Sequence, residues 1–353
     1  MEHFCTLLET RLRRNWEKPA LSDYRGATFT SAQVAEQFAR LHLLFKSFGL
    51  EKGDKIALSG NNSAHWAMAF LAVNTYRGVA VPILADFTNE GLQDLTHHSE
   101  SKVLFTEARK WEALNPEKMP HLIAAINIDD FSLLYAATDA IKEAYDKRDE
   151  AFAKAYPKGF RKGDMKLALD ELDELMVINY TSGTTGSPKG IMLTGRNITA
   201  NIEFALNKIP VPHDATMMSM LPMAHMYGLA VEFMYPFCNG CHLFFLNRLP
   251  SPAIIAQAFT DVKPALVIAV PLIIDKIIRK KVFPKIQTKL MTILLHTPVV
   301  NKRIRQKICE QVYQVFGGKA YEIVVGGAAL NQEVEQFLKS IDFPITVGYG
   351  TTE

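Results

Sequence analysis

Short apolar segments alternate with longer segments of helical periodicity along the chain, and this alternation most limits the fold. Early predicted strands cover Lys55–Leu58, Gly78–Pro82 and Lys102–Thr106. Helical patterns at Ala64–Tyr76 and Asn89–His98 lie between them, with short connections. A strand, a helix and a second strand joined in this way form a parallel βαβ unit. The sequence therefore predicts an α/β protein.

The same alternation returns later in the chain. Predicted helices cover 196–208 and 227–237, and predicted strands cover 175–180, 190–194, 216–220, 242–246, 266–270, 321–325 and 346–348. Residues 140–173 carry many charged side chains of both signs and few large apolar ones. Such a segment is typical of a linker or surface excursion. We therefore expect a first α/β part at 1–139 and a second at 174–353.

Composition narrows the class of protein. Hydrophobic residues make up 48% and charged residues 22% of the 353 residues, which excludes a disordered chain. The net charge of +2 argues against nucleic-acid binding over the whole surface. Four cysteines are too few for a disulfide framework, and no uninterrupted apolar window reaches about 18 residues. A reduced, cytoplasmic protein is expected.

The segment Tyr180–Gly190 has the composition of a phosphate-binding loop. It follows an apolar predicted strand and combines three glycines, several hydroxyl side chains and Lys189. Glycines permit a tight turn that directs backbone N–H groups at an anion. The Walker pattern is excluded because Pro188 stands where that pattern has its second glycine. A polar β-hairpin loop without a ligand is the alternative.

This segment resembles the phosphate loop of the adenylate-forming superfamily, which includes acyl-CoA synthetases, luciferases and the adenylation domains of peptide synthetases. Further segments resemble other blocks of that family in the same order: 28–30, 51–58, 61–82, 221–228, 326–330 and 348–353. Residues 190–197, the block around His225 and residues 262–276 are most similar to long-chain fatty acyl-CoA synthetases. The resemblance implies stacked, helix-flanked β-sheets of the large N-terminal domain of that family.

The resemblance also implies nucleotide-binding residues. Those expected at the ATP phosphates are Thr181, Ser182, Gly183, Thr184, Thr185, Gly186 and Lys189. Those expected around the adenine are Gly326, Gly327, Ala328, Tyr349 and Gly350, with the Tyr349 ring stacked on the base.

Catalytic roles are implied in the same way. Thr352 would contact the α-phosphate, and His225 would lie beside the reacting carboxylate and the acyl entrance. Glu353 and Thr184 would bind Mg²⁺, a hard cation that prefers oxygen ligands. Together with Lys189, the implied catalytic residues are therefore His225, Thr352 and Glu353.

The implied reaction is that of a fatty acid–CoA ligase. ATP activates a fatty acid carboxylate to an acyl-adenylate with release of pyrophosphate, and the acyl group then passes to CoA. Two alternatives remain open, namely adenylation of an aromatic or amino-acid carboxylate and an ATP-binding fragment without catalysis. Family members continue past the block that ends at Glu353. We therefore expect an incomplete N-terminal AMP-binding domain that lacks the small C-terminal domain and full turnover.

Apolar side chains near His225 in the sequence are candidates either for the wall of an acyl tunnel or for the core. They are Met217, Met218, Met220, Met223, Met226, Tyr227, Met234, Tyr235 and Phe237. The sequence departs from the family at Leu272, where the family usually has a basic residue.

Residues 276–307 contain ten lysines and arginines and no acidic residue. They form either a solvated helix face or a surface that docks onto anionic lipid or the phosphates of CoA. The second interpretation predicts peripheral membrane association, with interleaved isoleucine and phenylalanine side chains inserted into the bilayer surface.

Two smaller patterns favour structural roles. Cys238 and Cys241 flank Asn239-Gly240, which is typical of a helix end, and a zinc site would need more ligands than the adjacent His242. A redox pair is the alternative. His97 and His98 end a predicted helix, where solvent exposure or a local cap is expected rather than a metal.

Overall fold

A computed structural model describes residues 1–167, 171–181, 188–247, 251–286 and 298–352. In these ranges the strands are β1 (Pro19–Asp23), β2 (Thr28–Thr30), β3 (Lys55–Ser59), β4 (Val79–Ile83), β5 (Val103–Thr106), β6 (Ala124–Asn127), β7 (Leu133–Ala136), β8 (Leu175–Thr181), β9 (Lys189–Thr194), β10 (Thr216–Ser219), β11 (His242–Phe245), β12 (Leu266–Ala269), β13 (Glu322–Val325) and β14 (Ile345–Val347).

The α-helices in the same ranges are α1 (Phe4–Arg14), α2 (Ser31–Ser47), α3 (Ala64–Thr75), α4 (Asn89–His98), α5 (Ala108–Trp111), α6 (Asp139–Asp146), α7 (Arg148–Ala155), α8 (Gly195–Lys208), α9 (Tyr235–Asn239), α10 (Pro252–Val262), α11 (Pro271–Ile277), α12 (Phe283–Ile286), α13 (Pro298–Val315) and α14 (Gln332–Ser340). Gly228–Met234 and Ile278–Val282 are π-helical, and Pro116–Lys118 is a short 3₁₀ turn.

The described strands form three sheets. The largest has the order β7-β6-β5-β3-β4-β8-β9, with parallel pairing from β6 to β8 and antiparallel strands at both edges. A second sheet has the order β10-β11-β1-β2, and the third is the parallel set β12-β13-β14. The predicted α/β class and the early parallel βαβ units are confirmed, whereas the sequence did not predict β1, β2, β6 or β7.

Helix α3 lies between two of these sheets. It packs against β3 and β4 of the largest sheet and against β1 of the second sheet. Nearly every side chain from Ala64 to Thr75 is buried, and the Trp66 ring stacks on Phe70 with centroids 5.4 Å apart. A helix that is apolar around its whole circumference is stable only when other elements cover it on all sides. The buried helix thus produces the stacked, helix-flanked arrangement.

The charged segment 140–173 packs on the rest of the protein. Helices α6 and α7 lie against α2, with Tyr145 and Phe152 buried. The Arg40 guanidinium lies 3.8 Å above the centre of the Phe152 ring. The two larger sheets each combine strands from before and after this segment. The division of the chain at 140–173 stays a prediction.

The structure of the basic segment contradicts the expectation that its apolar side chains insert into a bilayer. Side chains of Ile274, Ile277, Ile278, Val282 and Phe283 are buried in a hydrophobic core that includes β12 and β13. They cannot insert into a bilayer, because they already pack inside the protein. Lys276, Lys280 and Lys281 are exposed, so docking of these cations onto anionic lipid or the phosphates of CoA stays a prediction. Residues 287–297 of this segment lie outside the described residues. No helix in the described ranges is long and apolar enough to span a membrane.

The cysteine pair agrees with the structural interpretation. Cys238 and Cys241 are buried free thiols, and burial raises the pKa of Cys238 to about 12 and that of Cys241 to about 11. Helix α9 ends at Asn239, and Gly240 follows with a φ of 88°. This left-handed conformation is the usual helix end that glycine supplies.

A half-buried histidine, His42, makes the stability depend on pH. His42 on α2 lies 3.0 Å from Thr75 Oγ1 and 3.1 Å from the Ala72 carbonyl, and burial lowers its pKa from 6.5 to about 4. The unfolded chain therefore binds this proton at a higher pH than the folded chain does. The stability that depends on a neutral His42 side chain is complete above about pH 6.5 and is lost as the pH falls toward 4.

We expect His42→Gln to reduce the loss of stability between pH 7 and pH 5 by on the order of 2 kcal/mol. Urea unfolding of both proteins at the two pH values measures this difference. An equal loss in parent and variant would show that His42 does not cause it.

Candidate active site

The predicted phosphate loop connects the two strands of a β-hairpin. Strands β8 and β9 pair antiparallel, with Thr181 opposite Lys189. Ser182, Gly183, Thr184, Thr185 and Gly186, which the sequence assigned to the phosphates, lie outside the described residues. Lys189 is exposed and forms no ion pair within the described part of the chain. Its ammonium group is therefore free to bind an anion at the end of the hairpin.

The base of this hairpin is well packed. Tyr180 is buried, its hydroxyl lies 2.7 Å from His98 Nδ1, and burial raises its pKa to about 12. A Cβ atom on Gly190 would lie 2.9 Å from the Ile178 side chain, so a larger residue has no room there. His97 and His98 are both exposed at the end of α4, as the sequence predicts. No described cluster of histidine, cysteine or acidic residues has a metal-binding arrangement.

The predicted adenine-binding segments leave neighbouring strands at the same edge of a sheet. Gly326, Gly327 and Ala328 follow β13, and the segment from Gly348 follows the parallel strand β14. The Gly348 N–H donates to the Val325 carbonyl at 2.8 Å, and Gly326 N–H donates to Ala269 at 3.1 Å. Carboxyl ends of parallel strands are where α/β folds bind ligands. The structure thus brings these two segments together.

The residues after β14 expose their side chains at this edge. The Tyr349 side chain is 97% exposed, so no neighbouring residue covers its ring faces. Nothing lies within 4 Å of the position where Gly350 would carry a Cβ atom, and Thr352 is half-buried. Glu353 lies outside the described residues. The ring of Tyr349 is available for stacking, whereas the metal-binding role of Glu353 stays a prediction.

Residues 221–228, here called the histidine turn, follow β10 and expose His225. The His225 N–H donates to the Pro222 carbonyl at 3.0 Å, and His225 O accepts from Leu229 at 2.9 Å. The Tyr227 N–H donates to His225 Nδ1 at 3.3 Å, which orients the exposed imidazole. A tight turn thus holds His225 at the surface by local hydrogen bonds.

Gly228 allows this turn to close, and we expect Gly228→Ala to lower the free energy of unfolding by about 1–3 kcal/mol. A Cβ atom at this position would lie 2.5 Å from the Pro222 carbonyl oxygen, so the backbone would have to move. Urea unfolding measures the loss, with Gly163→Ala as the control because no atom lies within 4 Å of that Cβ position. Equal stabilities of the two variants would contradict the role of Gly228.

Residues 326–328, here called the glycine turn, follow β13. Tyr227 connects the histidine turn to them. Its hydroxyl donates to the Val324 carbonyl at 3.3 Å. A Cβ atom on Gly326 would lie 2.9 Å from the Tyr227 ring, so the ring requires glycine there. Burial raises the pKa of the Tyr227 hydroxyl, which stays a neutral donor. The predicted acid-binding and adenine-binding blocks are therefore in contact.

Three polar side chains that the sequence analysis missed hold the histidine turn from outside. Asn62 Nδ2 donates to the Leu221 carbonyl at 2.6 Å, and its Oδ1 accepts from Met223 at 3.0 Å. Asn179 Nδ2 on β8 donates to the Ala224 carbonyl at 2.8 Å. The sequence contained one signal for the role of Asn179, because this residue interrupts an otherwise apolar run before Tyr180.

The third of these side chains is Glu232, which is fully buried. Its Oε2 accepts from the N–H groups of Met220 at 2.9 Å and Leu221 at 2.8 Å. Burial raises the pKa of this carboxyl well above its usual range, although the two N–H donors act in the opposite direction. Its sequence signal was that Glu232 is the single charged residue between Met217 and Leu246.

The apolar side chains around His225 mostly fill the core. Met226 and Tyr227 are half-buried, whereas the buried members of the predicted set are Met217, Met218, Met220, Met223, Met234, Tyr235 and Phe237. The core interpretation is therefore correct for most of this set. Leu272, where the sequence departs from the family, is 60% exposed on α11.

The fold is that of the N-terminal domains of adenylate-forming enzymes. The N-terminal domain of FACL13 from Mycobacterium tuberculosis superposes with a TM-score of 0.73 at 18% identity, over 100% of this chain and 77% of that one. The anthranilate CoA ligase AuaEII superposes with a TM-score of 0.74 at 17% identity, over 99% of this chain and 59% of that one.

The chain belongs to the AMP-binding enzyme family, whose sequence model matches residues 8–353. The long-chain-fatty-acid–CoA ligase ACSBG2 of Rattus norvegicus is 25% identical over 384 residues, covering 98% of this chain and 56% of the relative. Fatty acyl-CoA synthetase A of Dictyostelium discoideum is 27% identical over 359 residues, covering 94% of this chain and 50% of the relative. The chain thus spans about half the length of these curated relatives.

Proposed function

We propose that this chain forms the ATP-binding and acid-binding part of an enzyme that activates a fatty acid carboxylate and transfers the acyl group to CoA. One observation carries the proposal. The histidine turn contacts the phosphate hairpin, here meaning β8, β9 and their connection, through the hydrogen bond from Asn179 to Ala224. It also contacts the end of β13 and the glycine turn, through the Tyr227 side chain at Val324 and Gly326. The names of the curated relatives support a fatty acid as the substrate.

In the first step, the carboxylate attacks the α-phosphorus of ATP. A carboxylic acid is already ionised at neutral pH, so no general base is needed. One carboxylate oxygen forms a bond to phosphorus, the bond to the bridging oxygen breaks, and pyrophosphate leaves with that oxygen. Catalysis then consists of positioning two anions and stabilising the charge that develops on the leaving group.

Residues of the phosphate hairpin would bind the leaving group. Lys189 would supply an ammonium group, and Thr181, its pairing partner across the hairpin, would supply a hydroxyl group. The other proposed phosphate ligands are Ser182, Gly183, Thr184, Thr185 and Gly186. Thr184 and Glu353 would hold Mg²⁺, a cation that prefers oxygen ligands and would offset the charge of the phosphates.

The other end of the nucleotide would lie at the edge formed by β13 and β14. Tyr349 is proposed to stack on the adenine, which Gly326, Gly327, Ala328 and Gly350 would border. Thr352 is proposed to donate to the α-phosphate. His225 would face the carboxylate from the histidine turn, and Met226 would contact the start of the acyl chain.

In the second step, the thiolate of CoA attacks the acyl carbon. The carbon–sulfur bond forms, the bond between the acyl carbon and the phosphate oxygen breaks, and AMP leaves. The relatives are about twice as long as this chain, so we assign to it the binding sites of the first step. Binding of CoA and the second step are proposed for the whole enzyme.

Exchange of labelled pyrophosphate into ATP, measured with a panel of carboxylic acids, tests the proposal. We expect exchange that depends on hexadecanoate and that benzoate and amino acids do not support. Exchange only with an aromatic or amino acid would assign a different substrate class. Nucleotide binding by calorimetry without exchange would identify a binding fragment without catalysis, and no nucleotide binding would refute the proposed function.

A further inference from the structure

The histidine turn is held by hydrogen bonds to side chains from separate elements. Asn62 comes from the loop after β3, and Glu232 from the π-helical segment that follows the turn. Asn179 comes from β8, the strand that leads into the phosphate loop. Of these three contacts, only that of Asn179 connects the turn to the phosphate hairpin.

The position of Asn179 on β8 gives this contact its importance. Asn179 is 2% exposed, and its backbone is paired with Ile191 of β9. Successive side chains of a strand point to opposite faces, so the side chains at 179 and 181 lie on the same face. One face of the hairpin therefore bears both Thr181, a proposed phosphate ligand, and Asn179. Asn179 holds Ala224, the residue before His225.

We propose that Asn179 is a positioning residue that fixes the distance between the phosphate hairpin and the histidine turn, so that ATP and the carboxylic acid bind cooperatively. This proposal rests on the proposed function. The hydrogen bond of 2.8 Å is buried and has its acceptor on the backbone, so it resists both solvent and side-chain motion. Loss of the donor would let the turn and the hairpin move independently.

A purely structural role for Asn179 makes a different prediction. Buried asparagine side chains commonly satisfy a carbonyl group without any effect on ligands. Asn74 on α3 provides the comparison within this chain, because it is fully buried and its Nδ2 donates to the Met176 carbonyl at 2.8 Å. That contact reaches the same strand β8 but near its beginning, away from the phosphate loop.

Calorimetry with α,β-methylene-ATP, which cannot release pyrophosphate, tests the proposal on the 353-residue chain. Its affinity is measured alone and with saturating hexadecanoate, and the ratio of the two dissociation constants is the coupling factor. We expect about tenfold tighter nucleotide binding in the presence of the acid, a typical coupling between two sites. In Asn179→Ala the factor should fall to within about twofold of unity, with nucleotide affinity in the absence of acid nearly unchanged.

Asn74→Ala is the matched control and should keep the coupling factor of the parent. Retention of coupling in Asn179→Ala, an equal loss in Asn74→Ala, or no coupling in the parent would overturn the proposal. A parent chain that binds no nucleotide would instead refute the proposed function. If Asn179→Ala does not fold, Asn179→Leu and Asn179→Ser, which retain side-chain bulk or polarity, carry the same measurement.

Discussion

Replacing Lys189 with alanine is expected to weaken the binding of Mg-ATP by about 1.5–3 kcal/mol, or roughly 10- to 150-fold. The reason is the loss of a charge-assisted contact to phosphate. Lys189 is exposed at the start of β9 and forms no ion pair within the described ranges, so its removal leaves no buried group unsatisfied. Calorimetric titration with Mg-ATP measures the change, and thermal unfolding should show an unaltered fold.

Lys208→Ala is the matched control, because Lys208 is an exposed lysine at the end of α8. It removes the same charge from the protein outside the phosphate hairpin, so its affinity for Mg-ATP should equal that of the parent. Thr184→Ala tests the loop itself, and it should weaken binding in the same direction as Lys189→Ala. Unchanged affinity in both hairpin variants would refute the phosphate-binding assignment.

Phe233→Ala is expected to cost about 3–5 kcal/mol of unfolding free energy, the largest loss of stability that we predict for a single substitution in this chain. Phe233 is completely buried in the π-helical segment beside Glu232. Its ring centroid lies 6.1 Å from that of Phe70 and 6.2 Å from that of Phe245. Truncation leaves a cavity where the π-helical segment that carries Glu232 packs against α3 and β11.

Urea unfolding of Phe233→Ala and Phe204→Ala measures this effect. Phe204 is 61% exposed on α8, so its truncation should change stability by less than about 0.5 kcal/mol. A loss below about 1 kcal/mol in Phe233→Ala would mean that the surroundings collapse into the cavity.

The secondary structure was largely predictable because it is encoded locally. The helix at Asn89–His98 begins and ends as predicted, and strand β3 extends one residue beyond its predicted end. Strands β1, β6 and β7 escaped prediction because each contains at most one β-branched residue, the residue type that most favours strands. The three-residue strand β2 escaped prediction as well. The pairing of β1 with β11 depends on contacts between residues far apart in sequence, which a local pattern does not specify.

The candidate site was predictable as a set of blocks but not as an arrangement. The order of the blocks indicated the family, whereas the contact of Asn179 with Ala224 spans 45 positions and has no local pattern. The interpretation of 276–307 as a lipid-inserting surface was wrong for a related reason. The interleaving of apolar and basic residues suggested an amphipathic surface helix, but it did not show that other core residues cover Ile277 and Phe283.

The pairing of β1 with β11 has a consequence for the order of events during synthesis. Leu21 pairs with Leu243, so the second sheet cannot close until the ribosome has made roughly 220 further residues. At about 5–20 residues per second, the edge of β1 that β11 later covers waits on the order of 10 to 45 seconds for its partner. Unpaired strand edges are sites of misassociation during that interval. Of the strand pairings in the described residues, this one has the largest sequence separation, so we expect β1 to be the strand most exposed to misassociation while translation continues.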